Sequence, residues 1–354
     1  MAGSDTDRRE AALDGLRGVA ISLVMIRHVA MHAYGLNTVG SDIFLVLSGY
    51  LITRSLMREQ ARTGRIDALT FCVHRLARLM PALALLLAGL AVYLRLTSGV
   101  GLPAADVGSA LASIMNWSLI WHDRSSLISH LWSLSLQEQF YLAWLIVLGT
   151  VIWLDAGLAP VVAAGLAVVS LGAGVWLWGH HATYARLCYG TDTRACELLI
   201  GCLAAFVNLK SLPVRLLARA WPAPVALIGA IYVWLPDSSP IRALGGYGVI
   251  GLAVAWVLTA IRSGTAVAVF LRWSPLAYVG RISYGLYLWN YPIQRLAHLH
   301  GPSGGRTAVL TFVLSAALAA ASHAWLETPV ASIIRTSWRR WRQEQNPSEP
   351  GVAV

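Results

Sequence analysis

The sequence predicts an all-helical, polytopic transmembrane bundle of about ten spans with both termini in the cytoplasm, and three observations carry that expectation. Of the 354 residues 57% are hydrophobic and only 12% are charged, against roughly 25% charged in an average soluble domain. The mean hydropathy is +0.61. Apolar runs recur along the whole chain at close to the ~20 residues that cross a ~30 Å hydrocarbon layer. Together these exclude an ordinary cytosolic enzyme, a disordered chain and a soluble nucleic-acid binder. The net charge of +10 does not bring the last class back, because most basic residues sit in short connections between apolar runs, where membrane topology accounts for them.

Taken in order, Met1 to Asp14 mix acids and bases without the layout of a cleaved leader. Residues 1–12 therefore read as a cytoplasmic segment before an uncleaved first span at 13–33. Further spans are expected at 42–57, 80–98, 139–155, 158–178, 192–208, 222–236, 246–262, 276–297 and 307–327. The stretch 106–121 is apolar but short and polar-flanked, which marks a re-entrant or interfacial segment. The transmembrane domain occupies 13–330, and 331–354 reads as a cytoplasmic tail, basic first and disordered from 343. With the N-terminus inside, the first inner connection holds Arg54, Arg58, Arg62, Arg65, Arg75 and Arg78, and later ones hold Lys210, Arg215, Arg219, Arg262 and Arg272. The tail adds Arg335, Arg339, Arg340 and Arg342, while the outer connections hold Arg124, Arg186, Arg242 and Arg306. That asymmetry sets the orientation. Cys72, Cys188, Cys196 and Cys202 form no C-x-x-C pair, so small packing residues are expected rather than a disulfide framework or a metal site.

An ionisable residue inside a span costs about 2.5–3.5 kcal/mol on insertion scales and marks a candidate site. The first span carries Arg17 and His28, eleven residues apart and so within about 20° of one helical face. They read either as an inner cation and an outer catalytic base, or as a topology anchor and a paired bundle histidine. Asp42 opens the second span at about the depth of His28, where it orients the imidazole or caps its own helix. Glu138, Asp192 and Arg194, and Tyr284, Tyr287, Asn290 and Tyr291 open or occupy the outer parts of later spans. Convergence of so many polar groups on one half of the bundle points to a site. On the inner side Arg75 and Arg78 share a helical face. They suit a phosphate-bearing ligand, or equally anionic lipid.

These pieces, in this order, resemble the membrane-bound acyltransferase family 3. The resemblance rests on Leu13-Asp14-Gly15-Leu16-Arg17-Gly18 with His28, on the run from Ser41 to Tyr50, and on Arg75-x-x-Arg78 followed by Pro81. It continues through His130-Leu-Trp132-Ser133-Leu-Ser135 into Glu138-Gln139-Phe140-Tyr141, then Thr193-Arg194 with Gly201, Ile282 to Trp289, and Glu327-Thr328-Pro329. Two positions depart from the family pattern: Gln137 stands where a Glu is usual, and Asn290 where a His is usual. The resemblance implies transfer of an acyl group, often acetyl, from cytoplasmic acyl-CoA to a hydroxyl of a carbohydrate or secondary metabolite. On that reading Arg75 and Arg78 hold the CoA phosphates, His28 is the general base, and Asp42 and Glu138 are the further catalytic carboxylates. Arg17, Ser135, Arg194, Tyr284 and Asn290 contact substrate, the last three being the donors on offer to a developing oxyanion. No metal is implied. The expected partners are the lipid bilayer, acyl-CoA and a hydroxylated acceptor, with no nucleic acid. The competing class is a transporter or flippase of a glycan or small polar solute, since intramembrane charges also line transport paths.

Overall fold

Away from water a single segment satisfies its own backbone groups only by coiling into a helix, and apolar runs of this length suit helices rather than the shorter strands of a closed barrel. The computed structural model describes residues 5–29, 39–122, 126–235, 241, 245–300 and 305–345, and among them it is built of helices without strands. The helices are α1 Asp5–Val29, α2 Val39–Thr63, α3 Ala68–Ser98, α4 Ala104–Leu111, α5 Met115–His122, α6 Trp132–Asp155, α7 Ala159–Gly179, α8 Tyr184–Tyr189 and α9 Thr191–Phe206. They continue with α10 Leu212–Arg219, α11 Pro222–Trp234, α12 Tyr247–Arg262, α13 Ala266–Leu271, α14 Ser274–Arg281, α15 Ser283–His300, α16 Gly305–Ser322 and α17 Thr328–Gln345. The expectations for residues 30–33, Arg124, residue 236, Arg242 and residues 346–354 fall outside the described residues.

Among the described residues four helical stretches can cross a membrane by length and composition: Val39–Thr63, Ala68–Ser98, Ser129–Gly179 and Gly305–Gln345. A fifth is counted if α10 and α11, bent by 54° at their break, form one span. This is fewer than the ten apolar runs of the sequence. Helices such as α1 and α9 carry Arg17 and His28 or Arg194 and Glu197 along their length, which lowers their hydropathy although they pack inside the bundle. The outward surface is apolar, with Leu96, Ile146, Trp153, Val233 and Trp234 all strongly exposed. The buried interior instead holds Asp42, Arg194, Glu197 and Asn290. That inversion of the soluble pattern is what a lipid surround selects.

Close backbone packing fixes the centre. Helix α2 lies against α9, where a Cβ on Gly49 would fall 1.8 Å from the Leu198 carbonyl oxygen and one on Gly201 would fall 2.0 Å from that of Val46. Small residues at these two points let the backbones touch, as in membrane helix pairs generally. Around this pair Tyr50, Ile250, Leu258 and Leu271 form one apolar core, and Leu136, Trp144, Ala163 and Leu198 form a second. The segment expected to be re-entrant is a pair of short helices, α4 and α5, separated by a left-handed turn at Ser113 (φ 53°).

The basic tail differs from the expectation. Residues 331–345 belong to α17, so 343–345 are helical rather than the start of a disordered tail. Pro329 lacks the N–H that the helical ladder needs. The chain passes through a π-helical turn over His323–Glu327 just before it. Helix α17 then packs along α3. Its Trp338 Nε1 donates to Thr70 Oγ1 at 2.9 Å, and Arg342 pairs with Asp67. Asp67 also caps α3 by accepting the Thr70 N–H at 3.0 Å.

Burial opposes ionisation of Asp67, but the Thr70 hydrogen bonds and the Arg342 guanidinium outweigh it and hold the carboxyl below the ordinary carboxylate range. A carboxyl depressed on folding adds stability that is fully present above its unfolded value near 4 and is lost as pH falls through the folded one. The thermal midpoint of the detergent-solubilised protein should therefore drop on acidification below about pH 4. Asp67→Asn, which keeps the cap but not the ion pair, should flatten that acid limb. An unchanged limb in the Asn variant would show that the clamp does not contribute.

Candidate active site

Helices α1, α2, α3, α6 and α15 surround a cavity of about 280 Å³ whose walls include Arg17, Arg75, Arg78, Ser133, Gln137 and Tyr284. Three cations thus face one space. Arg17 is tied to Asp14, one turn earlier on α1, at 2.9 Å. Arg75 holds Glu138 through Nε and Nη2 at 2.9 and 2.7 Å, and its guanidinium lies 3.9 Å from the Tyr141 ring centre. Arg78 is exposed to the cavity and makes no hydrogen bond or ion pair among the described residues. The amide of Gln137 accepts from Ser48 Oγ at 2.6 Å and donates to the Ser133 carbonyl at 3.1 Å. A glutamate there would place a further anion among the arginines; glutamine adds none to the carboxylates of Asp14 and Glu138. The sequence placed Arg75 at an inner mouth and Glu138 at the outer half, but their ion pair sets them at one depth. Arg75 and Glu138 thus belong to one site.

The cavity wall reaches Val24 on α1 and Tyr287 on α15. His28 and Tyr291 stand one helical turn further along the same two helices. There His28 Nδ1 lies 2.8 Å from Asn290 Oδ1, and its ring meets that of Tyr291 edge-on at 5.1 Å. Asn290 is fully buried, and its Nδ2 points to Ser315 Oγ at 3.4 Å. Ser315 Oγ in turn donates to the Thr311 carbonyl at 2.6 Å, so it offers Asn290 a lone pair. In the amide orientation Ser315 favours, the oxygen faces His28 and accepts its Nδ1–H. Nε2 is then the ring nitrogen with the lone pair. The departure from the family pattern at Asn290 thus falls on the residue that sets the His28 tautomer.

Asp42 does not meet His28. Its carboxylate accepts from Arg194 Nη2 at 2.5 Å and from the Tyr232 hydroxyl. Arg194 also lies 2.9 Å from Glu197, one turn along α9, and its guanidinium stacks 3.8 Å from the Tyr247 ring centre. Asp42, Arg194 and Glu197 are fully buried. This is an ion cluster bonding α2, α9, α11 and α12, separate from the cavity wall. Ser135 is likewise used structurally, accepting the Met115 N–H at 3.2 Å and so anchoring α5 on α6. Tyr284 lines the cavity, while its hydroxyl donates to the Leu79 carbonyl at 2.8 Å. Sequence reading missed Glu197, Tyr232 and Tyr247. The first had a signal, an acid three residues after Arg194 inside an apolar run; the tyrosines look like ordinary apolar-run residues.

With this geometry in place, the chain is a membrane protein belonging to the acyltransferase domain family, whose model matches residues 10–326. It is 31% identical over 90% of its length to the putative peptidoglycan O-acetyltransferase YrhL of Bacillus subtilis strain 168. It is 29% identical, again over 90% of its length, to the O-acetyltransferase OatA of Staphylococcus aureus strain NCTC 8325. The chain spans 54% and 56% of those two relatives, a little over half of each. No solved structure matches it.

Breaking a buried ion pair by removing one partner typically costs 3–5 kcal/mol, because a buried charge is left uncompensated. Arg194→Met should accordingly lower the thermal midpoint strongly in detergent, by a loss on that order. In whatever protein survives, the KM for any substrate should be little changed. A stable Arg194→Met protein with a raised KM would return Arg194 to the substrate.

Proposed function

We propose that this chain is a membrane O-acyltransferase that moves an acyl group from acyl-CoA to a hydroxyl of a carbohydrate or secondary-metabolite acceptor. Acetyl is the group the relatives' names favour. The single observation that carries the reading is the joined arrangement of a three-arginine cavity with a histidine of fixed tautomer one turn beyond it. Arg78, held in no ion pair among the described residues, and Arg75 take the phosphates of CoA, and Arg17 adds a third positive charge. The pantetheine arm extends past Ser133 and Tyr287 and brings the thioester to His28. His28 Nε2 accepts the proton of the acceptor hydroxyl as its oxygen bonds the acyl carbon. The C–S bond then breaks, and the imidazolium returns that proton to the departing thiolate. Glu138 acts through Arg75, holding its fork in place, and Asp42 acts through Arg194 on the packing of α2 and α9.

The same reading includes the arrangement of ten spans with both ends in the cytoplasm, supported by the distribution of arginines. Donor then enters from the inside and acceptor from the outside. A Gly101→Cys variant, placed where an added side chain meets open space, should react with an impermeant thiol reagent on intact cells. A Gln345→Cys variant should react only after the cells are opened. The reverse pattern would put His28 on the wrong face.

The chemistry is tested with purified protein, labelled acetyl-CoA and a panel of hydroxyl acceptors. Transfer should be seen, together with thermal stabilisation by CoA. His28→Ala should lower kcat by about 10²–10⁴-fold while leaving CoA stabilisation intact. Arg78→Ala should chiefly raise the KM for acetyl-CoA, since a phosphate contact is equal in ground and transition states. Solute flux in liposomes without binding of any acyl-CoA would replace this reading with that of a transporter.

A further inference from the structure

If the chain transfers acyl groups, the attack on the thioester builds negative charge on its carbonyl oxygen. That charge must be met by hydrogen-bond donors fixed in advance. The side chains that the sequence offers for this are engaged elsewhere. Asn290 is fully buried between His28 and Ser315, the Tyr284 hydroxyl is given to Leu79, and Arg194 is enclosed with Asp42 and Glu197.

One side chain is in the opposite condition. His130 is 5% exposed, yet neither of its ring nitrogens makes a hydrogen bond among the described residues. The Leu288 backbone lies close to the ring, but not at hydrogen-bond distance and angle from either nitrogen. A buried polar group left unpaired costs about 1–3 kcal/mol, and in a native structure it calls for an explanation. The position of His130 supplies one. Its ring stacks on Tyr291 at 4.9 Å and 30°, while His28 meets the same tyrosine at 5.1 Å, so the two imidazoles flank one phenol ring. Its backbone is secured independently of the ring. The Tyr287 hydroxyl donates to the His130 carbonyl and sits 3.1 Å from Ser133 Oγ, and Tyr287 and Ser133 both line the cavity. The imidazole is thus held in place with its polar atoms unspent, beside the candidate base and next to two residues of the cavity wall.

We propose that His130 is a catalytic residue, donating a ring N–H to the acyl carbonyl oxygen as the tetrahedral intermediate forms. The acceptor oxygen bonds the acyl carbon, its proton passes to His28, and the carbonyl π pair moves onto the oxygen that His130 holds. Collapse re-forms the carbonyl, expels the CoA thiolate and frees His130 for the next turnover. The two histidines divide the work: one moves a proton, the other holds the developing charge. This inference rests on the acyl-transfer reading of the preceding subsection.

The test uses the full chain in detergent with labelled acetyl-CoA and whichever acceptor of the panel serves the wild type. His130→Phe keeps a ring on Tyr291 but has no donor. It should lose about 10²–10³-fold in kcat, the usual cost of removing one such donor. Its KM for acetyl-CoA and its stabilisation by CoA should stay near wild type. His130→Gln, whose amide can donate but cannot serve as a base at neutral pH, should recover at least tenfold of that loss and leave the acid limb of the pH–rate profile where it was. His130→Phe at wild-type rate overturns the proposal. So does a shared loss in both variants with a lowered melting temperature and weakened CoA binding, which would make His130 structural. A wild type that transfers nothing to any acceptor would instead remove the acyl-transfer reading, and this inference with it.

Discussion

The buried contact between Asp42 and Arg194 is the constraint on which the rest of the arrangement depends. Two helices that touch backbone to backbone at Gly49 and Gly201 have little freedom to tilt. The ion cluster above that contact fixes their rotation as well. Desolvating three charges is costly, and hydrophobic residues of equal volume would stabilise the core at least as well. What a charged cluster adds is uniqueness. Arg194 reaches Asp42 across the pair and Glu197 along its own helix, so a shift of α2 against α9 breaks the first contact. Tyr232 donates to Asp42, and Tyr247 covers the guanidinium face. Helix α2 also contributes Ser41 and Ser48 to the cavity wall, so this register sets the shape of the site without any of the cluster touching it.

The cavity itself is an exercise in partial neutralisation. Glu138 takes up much of the charge of Arg75 and Asp14 part of that of Arg17. Arg78 is left with its full charge, and Gln137 contributes none. Such a space attracts an anion strongly but not indiscriminately, because two of its three cations are already oriented by carboxylates. Arginine suits both tasks. It stays charged when desolvated, and its planar fork keeps one edge for the carboxylate and presents another to the cavity. Lysine, present only as Lys210 in the whole chain, does neither as well.

Much of this was legible in the sequence. The apolar runs located the helices, and the charges inside those runs located the residues that matter, because lipid makes every such charge conspicuous. What the sequence could not supply was pairing. His28 and Asp42 are neighbours in depth when ordered along a line, yet Asn290 reaches His28 across 262 positions of sequence and Arg194 reaches Asp42 across 152. Depth along a helix is a one-dimensional quantity, readable from residue counts. Partnership depends on rotation and tilt, which here are set by glycine contacts and by a π turn that carry no hydropathy signal. The same limit explains α17, whose arginines read as topology markers because nothing local reveals the Asp67 and Thr70 they return to.

That π turn has a consequence of its own. One extra residue within a helix advances everything beyond it by about 100°. His323–Glu327 therefore acts as a phase shift between α16, which packs on α15, and α17, which packs on α3. A regular α-helix through this point would point Trp338 and Arg342 about a quarter of a turn away from α3, with the clamp unable to close. The single inserted residue lets one continuous rod serve two partners that lie on different sides of it. At this position in the chain, length is therefore less negotiable than chemistry. Substitutions that keep the count preserve the angle, whereas the loss or gain of one residue turns the whole C-terminal helix out of register with the helix that carries Arg75 and Arg78.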